Sequence, residues 1–183
     1  YLKDFGAATA SNGSVGLYHI EKLTPEAKEQ GEALIKEGAQ VYVIDDAELE
    51  RVKASYPIIW KNKDAKPELC FVGCPHMSVQ QLKDWTDAIE EKLRANGLSK
   101  VTVPTVFTAA PAVIKALEGT VYLDKLATYG VVVSYICPLM YMNNPLCKKK
   151  AVITCSNKLR TYTSARYYTE AEILDIITGK EGK

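Results

Sequence analysis

Short apolar runs alternate with segments of helical periodicity along the whole chain. The apolar runs are rich in β-branched residues and predict strands over residues 15–20, 41–44, 69–72, 101–107, 130–133 and 151–154. The helical segments carry start and stop signals, such as Thr24-Pro25-Glu26 before a helix that Gly38 ends. Because strands that alternate with helices favour βαβ units, we predict an α/β fold. Its sheet is largely parallel, with layers of helices on both faces.

The clearest predicted helix follows Ser78, which can form a capping box with Gln81. Behind this cap, apolar residues recur at helical spacing and form one stripe: Leu82, Trp85, Ile89 and Leu93. Further helices are predicted over residues 24–37, 45–54, 111–117, 121–128, 157–168 and 170–177. The polar loop near 55–67 is the best candidate for a domain seam within residues 1–183.

Composition and charge narrow the class of protein. The chain has 183 residues, 23 of them basic and 22 acidic, for a formal charge of +1. This balance gives no electrostatic case for binding nucleic acid or an acidic membrane surface. No apolar run approaches the roughly 20 residues of a membrane-spanning helix, and no secretory signal opens the chain. Since the chain starts at Tyr1 rather than Met, we expect a fragment or a processed product.

The cysteine count indicates the redox state and the compartment of the protein. Five cysteines are present, and an odd number without a secretory signal disfavours a disulfide framework. We therefore expect a cytoplasmic protein with reduced cysteines. With only two histidines, zinc catalysis through several imidazoles is almost excluded.

Ligands of parallel α/β sheets bind outside the carboxyl ends of the strands, and two cysteine motifs follow predicted strands there. In Gly73-Cys74-Pro75-His76, a thiol lies beside a helix start, which favours a thiolate that could ligate a metal or act as a nucleophile. A plain strand-to-helix turn is the other interpretation. Cys137 occupies the same place after residues 130–133, so the two cysteines could share a metal. A buried core cysteine is the alternative for Cys137.

Two polar motifs occupy similar positions. Residues 154–158, Thr-Cys-Ser-Asn-Lys, could form an anion site, or Ser156 could cap a helix beside a solvated Lys158. Ser11-Asn12-Gly13-Ser14 reads as a polar turn into the strand that contains His19. That turn could serve a ligand, or it could be a simple turn beside a hydrogen-bonded histidine.

Together these motifs resemble the aconitase X family of the aconitase superfamily. The resemblance rests on residues 6–19, on the Gly73-Cys74-Pro75-His76 motif and on the threonine, serine and lysine of residues 154–158. Cys137 falls where the family has an Asp-Thr-Cys motif. The resemblance runs along the whole chain and corresponds to about the C-terminal half of a family member's catalytic region. It implies an aconitase-like domain fold.

The resemblance also implies a chemistry: a hydro-lyase that removes water from a small hydroxy acid, such as cis-3-hydroxy-L-proline or mevalonate 5-phosphate. Iron or an iron–sulfur cluster would act as the Lewis acid, with Cys74 and Cys137 as its ligands. Substrate-binding residues carried over from the family are Ser11, Ser14, His19, His76, Ser156 and Lys158. The catalytic base is not assigned. The implied partners are an N-terminal half and a small swivelling subunit or domain.

Two departures from the family pattern leave a second interpretation open. The Asp-Thr-Cys motif reads Tyr135-Ile136-Cys137, and a further family cysteine aligns with Ile173, whose side chain cannot ligate iron. A divergent, non-catalytic member that binds a ligand or serves a structural role would fit these changes. A thiol enzyme that uses Cys74 with His76 is a weaker possibility. We expect the isolated chain to be inactive, because a crevice enzyme needs both of its walls.

Overall fold

Five parallel strands form one sheet in the computed structural model, which describes residues 2–179. The strands are β1 (Leu69–Met77), β2 (Thr105–Ala109), β3 (Val131–Ser134), β4 (Val152–Thr154) and β5 (Arg166–Tyr167). Their order across the sheet is β3-β2-β1-β4-β5, and every neighbouring pair is parallel. All carboxyl ends therefore meet at one edge, which we call the carboxyl edge. The predicted parallel α/β fold is confirmed.

Nine α-helices lie within residues 2–179. They are α1 (Leu2–Gly13), α2 (Pro25–Gln30), α3 (Asp46–Ala54), α4 (Val79–Ala95), α5 (Pro111–Leu117), α6 (Val121–Thr128), α7 (Pro138–Met142), α8 (Asn157–Tyr162) and α9 (Glu170–Ile177). A short 3₁₀ turn, Gly31–Leu34, follows α2. The predicted capping box before α4 is present, with Ser78 and Gln81 bonding each other's backbone. None of these helices combines the length and the hydropathy that a membrane crossing requires.

The two faces of the sheet bury separate apolar clusters, because successive strand residues point to opposite sides. Cys70 and Val72 of β1 belong to a larger cluster, which also contains residues of α4, α5, α6 and α9. Phe71 belongs to a smaller one, formed by Phe71, Cys74, Met142, Val152, Leu159 and Ala165. Helices α7 and α8 cover this second face. The layers of helices on both faces are thus confirmed.

Two predicted strands are wrong. Residues 15–20 and 41–44 lie outside all the strands of the described chain. In the second segment, Val41 is 88% exposed and its three apolar neighbours are exposed as well. A β-branched run favours extended backbone, but a strand also needs a neighbour to accept its hydrogen bonds. Residues 2–179 provide no such neighbour to either segment.

The predicted helix over residues 157–168 is also shorter than expected. It ends at Tyr162, and Thr163 has extended backbone. The chain then adds β5 to the sheet, pairing Arg166 with Ile153 and Tyr167 with Thr154. Two residues are too few to show the alternation that is typical of a strand, so the helix prediction extended through β5.

Candidate functional site

The second half of β1 shapes the carboxyl edge. The strand continues through Gly73-Cys74-Pro75-His76 rather than ending at Val72, and its register with β2 shifts there. Gly73 has φ +109, and a Cβ placed on it would lie 2.7 Å from Thr108 Oγ1. The Thr108 hydroxyl donates a hydrogen bond to the Gly73 carbonyl. Glycine therefore permits the close contact with β2 that sets the path of the chain into Cys74.

Cys74 lies at the centre of the site and is buried in the smaller cluster. Burial raises the pKa of its thiol, while a hydrogen bond with the Ser156 side chain and the charge of Lys158 act in the opposite direction. Cys137 and Asp4 lie near enough to raise that pKa further. The structure thus brings Cys74, Cys137, Ser156 and Lys158 together, and Cys74 is a neutral thiol at neutral pH.

Ser156 and Cys137 are both held by the starts of short helices. Ser156 caps α8, accepting a hydrogen bond from the Leu159 amide at 3.0 Å, and its hydroxyl donates to the Cys74 carbonyl. Cys137 is exposed and directly precedes α7. Tyr141 of α7 stacks on Phe71 with ring centroids 5.7 Å apart, which fixes α7 against β1. The predicted cap role of Ser156 is confirmed, and it coexists with the contact to Cys74.

Helix α1 closes one side of the site, a role that its sequence did not indicate. Lys3 donates hydrogen bonds to the His76 carbonyl and, at 2.7 Å, to Gln81 Oε1. At the other end of α1, the Asn12 side chain accepts hydrogen bonds from Thr161 and Arg160 of α8. Contacts 70 to 150 residues apart leave no local pattern, so sequence reasoning missed these residues.

The remaining predicted substrate residues are more scattered. His76 is half-buried within β1. The predicted turn at 11–14 is instead the last turn of α1 followed by Ser14, because Ser11 Oγ bonds back to the Ala8 carbonyl at 3.2 Å. Ser14 is exposed, and His19 Nδ1 lies 3.9 Å from Glu26 Oε2. The assignment of these residues to a substrate pocket stays a prediction.

The number of candidate ligands at the carboxyl edge limits which metal centre the described residues could hold. Cys74 and Cys137 supply two thiols, and within residues 2–179 no three His, Cys, Asp or Glu side chains form a group that could hold a metal ion. An iron–sulfur cluster takes more ligands than two. The described residues could therefore supply two of the ligands of such a cluster but not a complete set.

Ile173, where the resemblance predicts a further family cysteine, points away from this site. Ile173 is fully buried in the larger cluster, which occupies the opposite face of the sheet from Cys74. Two other cysteines belong with that larger cluster: Cys70 lies within it and Cys155 packs against it. Burial raises the pKa of Cys70, and burial together with Glu170 raises the pKa of Cys155 to about 12. Both are neutral thiols at physiological pH.

The fold and this edge define an α/β protein whose site, with its two cysteines, lies at the carboxyl ends of parallel strands. Comparison with known families identifies it more closely. The model described as Aconitase X second domain matches residues 1–54, and the Aconitase X third domain matches residues 67–176. The chain belongs to the aconitase X family.

The chain is similar to proteins of known activity and structure. It is 31% identical over 130 residues to the phosphomevalonate dehydratase large subunit of Thermococcus kodakarensis, covering 71% of this chain and 30% of that protein. It is 28% identical over 176 residues to the cis-3-hydroxy-L-proline dehydratase of Hypocrea jecorina, covering 91% of this chain and 28% of that protein.

A solved structure extends the likeness to the whole described fold. The crystal structure of Thermococcus kodakaraensis aconitase X in its holo-form matches with a TM-score of 0.75 and 25% identity. The match covers 100% of this chain and 44% of that chain. The chain therefore spans less than half the length of these three proteins, and the first two are named as dehydratases.

Proposed function

We propose that this chain forms part of a hydro-lyase that removes water from a small hydroxy acid. One observation carries the proposal: Cys74, Cys137, Ser156 and Lys158 converge at the carboxyl edge of a chain whose relatives are dehydratases. This edge is where parallel α/β sheets bind their ligands.

The side chains at the carboxyl edge have different roles in the proposed reaction. Lys158 is half-buried and carries a positive charge beside Cys74, so it attracts the carboxylate of a hydroxy acid. Ser156 holds the Cys74 backbone and the start of α8 in one position, which orients Lys158 two residues later. The smaller apolar cluster under Cys74 excludes water from the floor of the site. Residues that complete the opposite wall lie outside this edge.

An iron centre belongs to the same proposal, with Cys74 and Cys137 as two of its ligands. Iron would act as a Lewis acid for the departing hydroxyl group. The remaining ligands would come from groups beyond those of residues 2–179.

Iron and sulfide content tests this proposal directly. The 183-residue chain is reconstituted anaerobically alongside Cys74→Ser, Cys137→Ser and the control Cys147→Ser, whose cysteine precedes the lysine run of residues 148–150. Because small thiols in the reconstitution mixture can complete the ligand set, we expect bound iron with a sulfur-to-iron charge-transfer band, lost in the first two variants and kept in the third. Iron that is equal in all four proteins would contradict a site at Cys74 and Cys137.

The dehydratase activity is tested separately. The chain is co-expressed with the missing N-terminal part and the small subunit of an aconitase X relative and assayed with mevalonate 5-phosphate and with cis-3-hydroxy-L-proline. Water loss from either substrate, abolished by Lys158→Ala, would support the proposal. Stoichiometric iron without turnover of any hydroxy acid by the complete assembly would instead favour a non-catalytic ligand-binding member.

A further inference from the structure

Arg160 of α8 contacts the Tyr56 ring on one side and Asn12 of α1 on another, and these contacts fix its position. Its guanidinium carbon lies 3.8 Å from the centre of the Tyr56 ring. Tyr56 in turn packs edge-to-face against Tyr167, with ring centroids 5.3 Å apart and planes at 88°. An aromatic face that is itself immobilised holds the guanidinium by a cation–π contact.

The hydrogen-bond partners of Arg160 are all neutral. Its Nη2 donates to Asn12 Oδ1 at 3.5 Å and its Nε donates to Asn157 Oδ1 at 3.4 Å. These distances are at the long limit for hydrogen bonds, and two amides cannot neutralise a cation. Among residues 2–179, no carboxylate comes within ion-pair distance of Arg160.

Several other cations of residues 2–179 are neutralised by direct contact with a carboxylate. Arg51 pairs with Glu48 at 2.5 Å, and Lys92 pairs with Asp175 at 2.7 Å. Arg160 differs because it is half-buried and oriented while most of its five N–H donors have no acceptor. A planar guanidinium in this state suits the two oxygens of a carboxylate or phosphoryl group.

The location connects Arg160 to the carboxyl edge. It lies one helical turn beyond Ser156, whose hydroxyl bonds the Cys74 carbonyl. Lys158 lies between them, and helical residues two apart project to different sides. Lys158 acts on Cys74, whereas Arg160 contacts Asn12 near the end of α1. The edge therefore has a second cation on a different side from the first.

We propose that Arg160 binds an oxyanion of the substrate, a carboxylate or a phosphoryl group, at a subsite between α1 and α8 that is separate from Lys158. This proposal rests on the dehydratase function proposed above. It assigns to the substrate an anionic group remote from the one that Lys158 attracts. Tyr56 and Asn12 are positioning residues for this subsite, because they touch the guanidinium and set its direction.

Anion binding by the 183-residue chain tests the subsite without any turnover. Inorganic phosphate and acetate are titrated at low ionic strength, and ¹⁵N chemical shifts or heats are recorded. We expect saturable one-site binding that weakens about tenfold in Arg160→Gln and less in Arg160→Lys, which keeps the charge but loses the fork. Phosphate favoured over acetate assigns a phosphoryl group, and the reverse preference assigns a carboxylate.

Two further variants show whether phosphate binding depends on Arg160 itself, on positive charge in general, or on the contact with α1. Arg166 contacts the Trp60 and Tyr168 rings and has no acidic partner among the described residues 2–179, but it lies on β5, so Arg166→Gln should bind phosphate like the parent. Asn12→Ala removes the hydrogen bond that directs the guanidinium but leaves the cation on Tyr56, so phosphate binding should weaken by less than in Arg160→Gln. Equal losses in Arg160→Gln and Arg166→Gln, or unchanged binding in Arg160→Gln, would overturn the subsite.

The outcomes also distinguish a failure of the Arg160 subsite from a failure of the proposed dehydratase function. Phosphate binding that depends on Arg160, in an assembly without dehydration of any hydroxy acid, keeps the subsite and removes the proposed activity. Dehydration whose KM is unchanged in Arg160→Gln and Arg160→Lys keeps the activity and overturns the subsite. Thermal unfolding of each variant confirms that it is folded, and Arg160→Lys serves if Arg160→Gln is not.

Discussion

The hydroxyl of Ser156 donates a hydrogen bond to the backbone carbonyl of Cys74, 82 residues away in the chain. The same hydroxyl accepts the hydrogen bond that starts α8. One side chain thus joins the helix that carries Lys158 and Arg160 to the strand that carries Cys74 and His76. The relative positions of Cys74 and Lys158 at this edge depend on that connection.

Replacing Ser156 by alanine should therefore loosen the site as well as the helix. We expect Ser156→Ala to lower the free energy of unfolding by about 1–3 kcal/mol, since a cap is lost and a buried carbonyl is left without a donor. The pKa of Cys74 should rise further, because the Ser156 hydrogen bond opposes the effect of burial. Denaturant unfolding and thiol titration measure the two effects. Ser78→Ala, which removes an exposed cap, should change only the first.

Gly73 should tolerate no side chain. In Gly73→Ala, the new Cβ would meet Thr108 and the residue would keep a φ of +109, so we expect a loss of at least about 2 kcal/mol in unfolding free energy. Gly97→Ala is the matched control, because Gly97 has φ +66 but no atom within 4 Å of a Cβ. Equal losses in the two variants, measured by chemical denaturation, would show that contact with Thr108 does not matter.

Introducing a cysteine at position 173 should not add an iron ligand. Ile173 is fully buried on the face of the sheet opposite Cys74, so a thiol there cannot reach the site. We expect Ile173→Cys to bind no more iron than the parent chain after reconstitution and to lose about 1 kcal/mol of stability through the lost apolar volume. A gain in iron per chain would place residue 173 at the metal site.

Thiol labelling should rank the cysteines by burial. Cys137 is exposed and should react first with an aromatic disulfide reagent at neutral pH. Cys74 should react slowly there, because burial both shields its thiol and raises its pKa, and the rate should increase only as the pH rises well above 8.5. Mass spectrometry of quenched samples identifies the labelled sites. Labelling of Cys74 as fast as Cys137 at neutral pH would contradict the buried neutral thiol.

Stability should fall in alkaline solution. The pKa of Cys155 is about 12 in the folded chain, above the roughly 8.5 of an unfolded cysteine. Below the unfolded pKa, Cys155 is protonated in both states and does not favour unfolding. Between the two pKa values only the unfolded chain loses the thiol proton, so the folded state becomes less stable as the pH rises towards 12. We expect the free energy of unfolding to drop between about pH 8 and about pH 10.5, and Cys155→Ala to reduce that drop. A drop of the same size in both proteins would exclude Cys155 as a contributor.

Local patterns predicted the elements that pack locally. The stripe of α4 and its Ser78 cap follow from spacing alone, and so does β4, whose β-branched Val152 and Ile153 are buried. The same rule failed at residues 41–44, because apolar β-branched residues indicate extended backbone but do not supply a neighbouring strand. Strand pairing is a property of two segments, so one segment cannot predict it.

The site shows a similar division. Cys74, Cys137, Ser156 and Lys158 were found from their places after predicted strands, because the carboxyl ends of parallel strands must meet. Arg160 and Lys3 were not, because their roles depend on where α1 lies, and α1 has no pattern that fixes its position. His19 was grouped with the site by motif order, yet its contact is with Glu26.

The exposed run at residues 41–44 has a practical consequence for anyone who purifies this chain. Together with Ala39 and Gln40 it makes six consecutive uncharged residues without proline, four of them apolar, exposed and strand-forming. Such a segment can add to the edge of any sheet, including one from another copy, and cross-β aggregates grow by that pairing. Concentrated samples should therefore self-associate, and a lysine at Val43 should keep them monomeric while leaving the carboxyl edge intact.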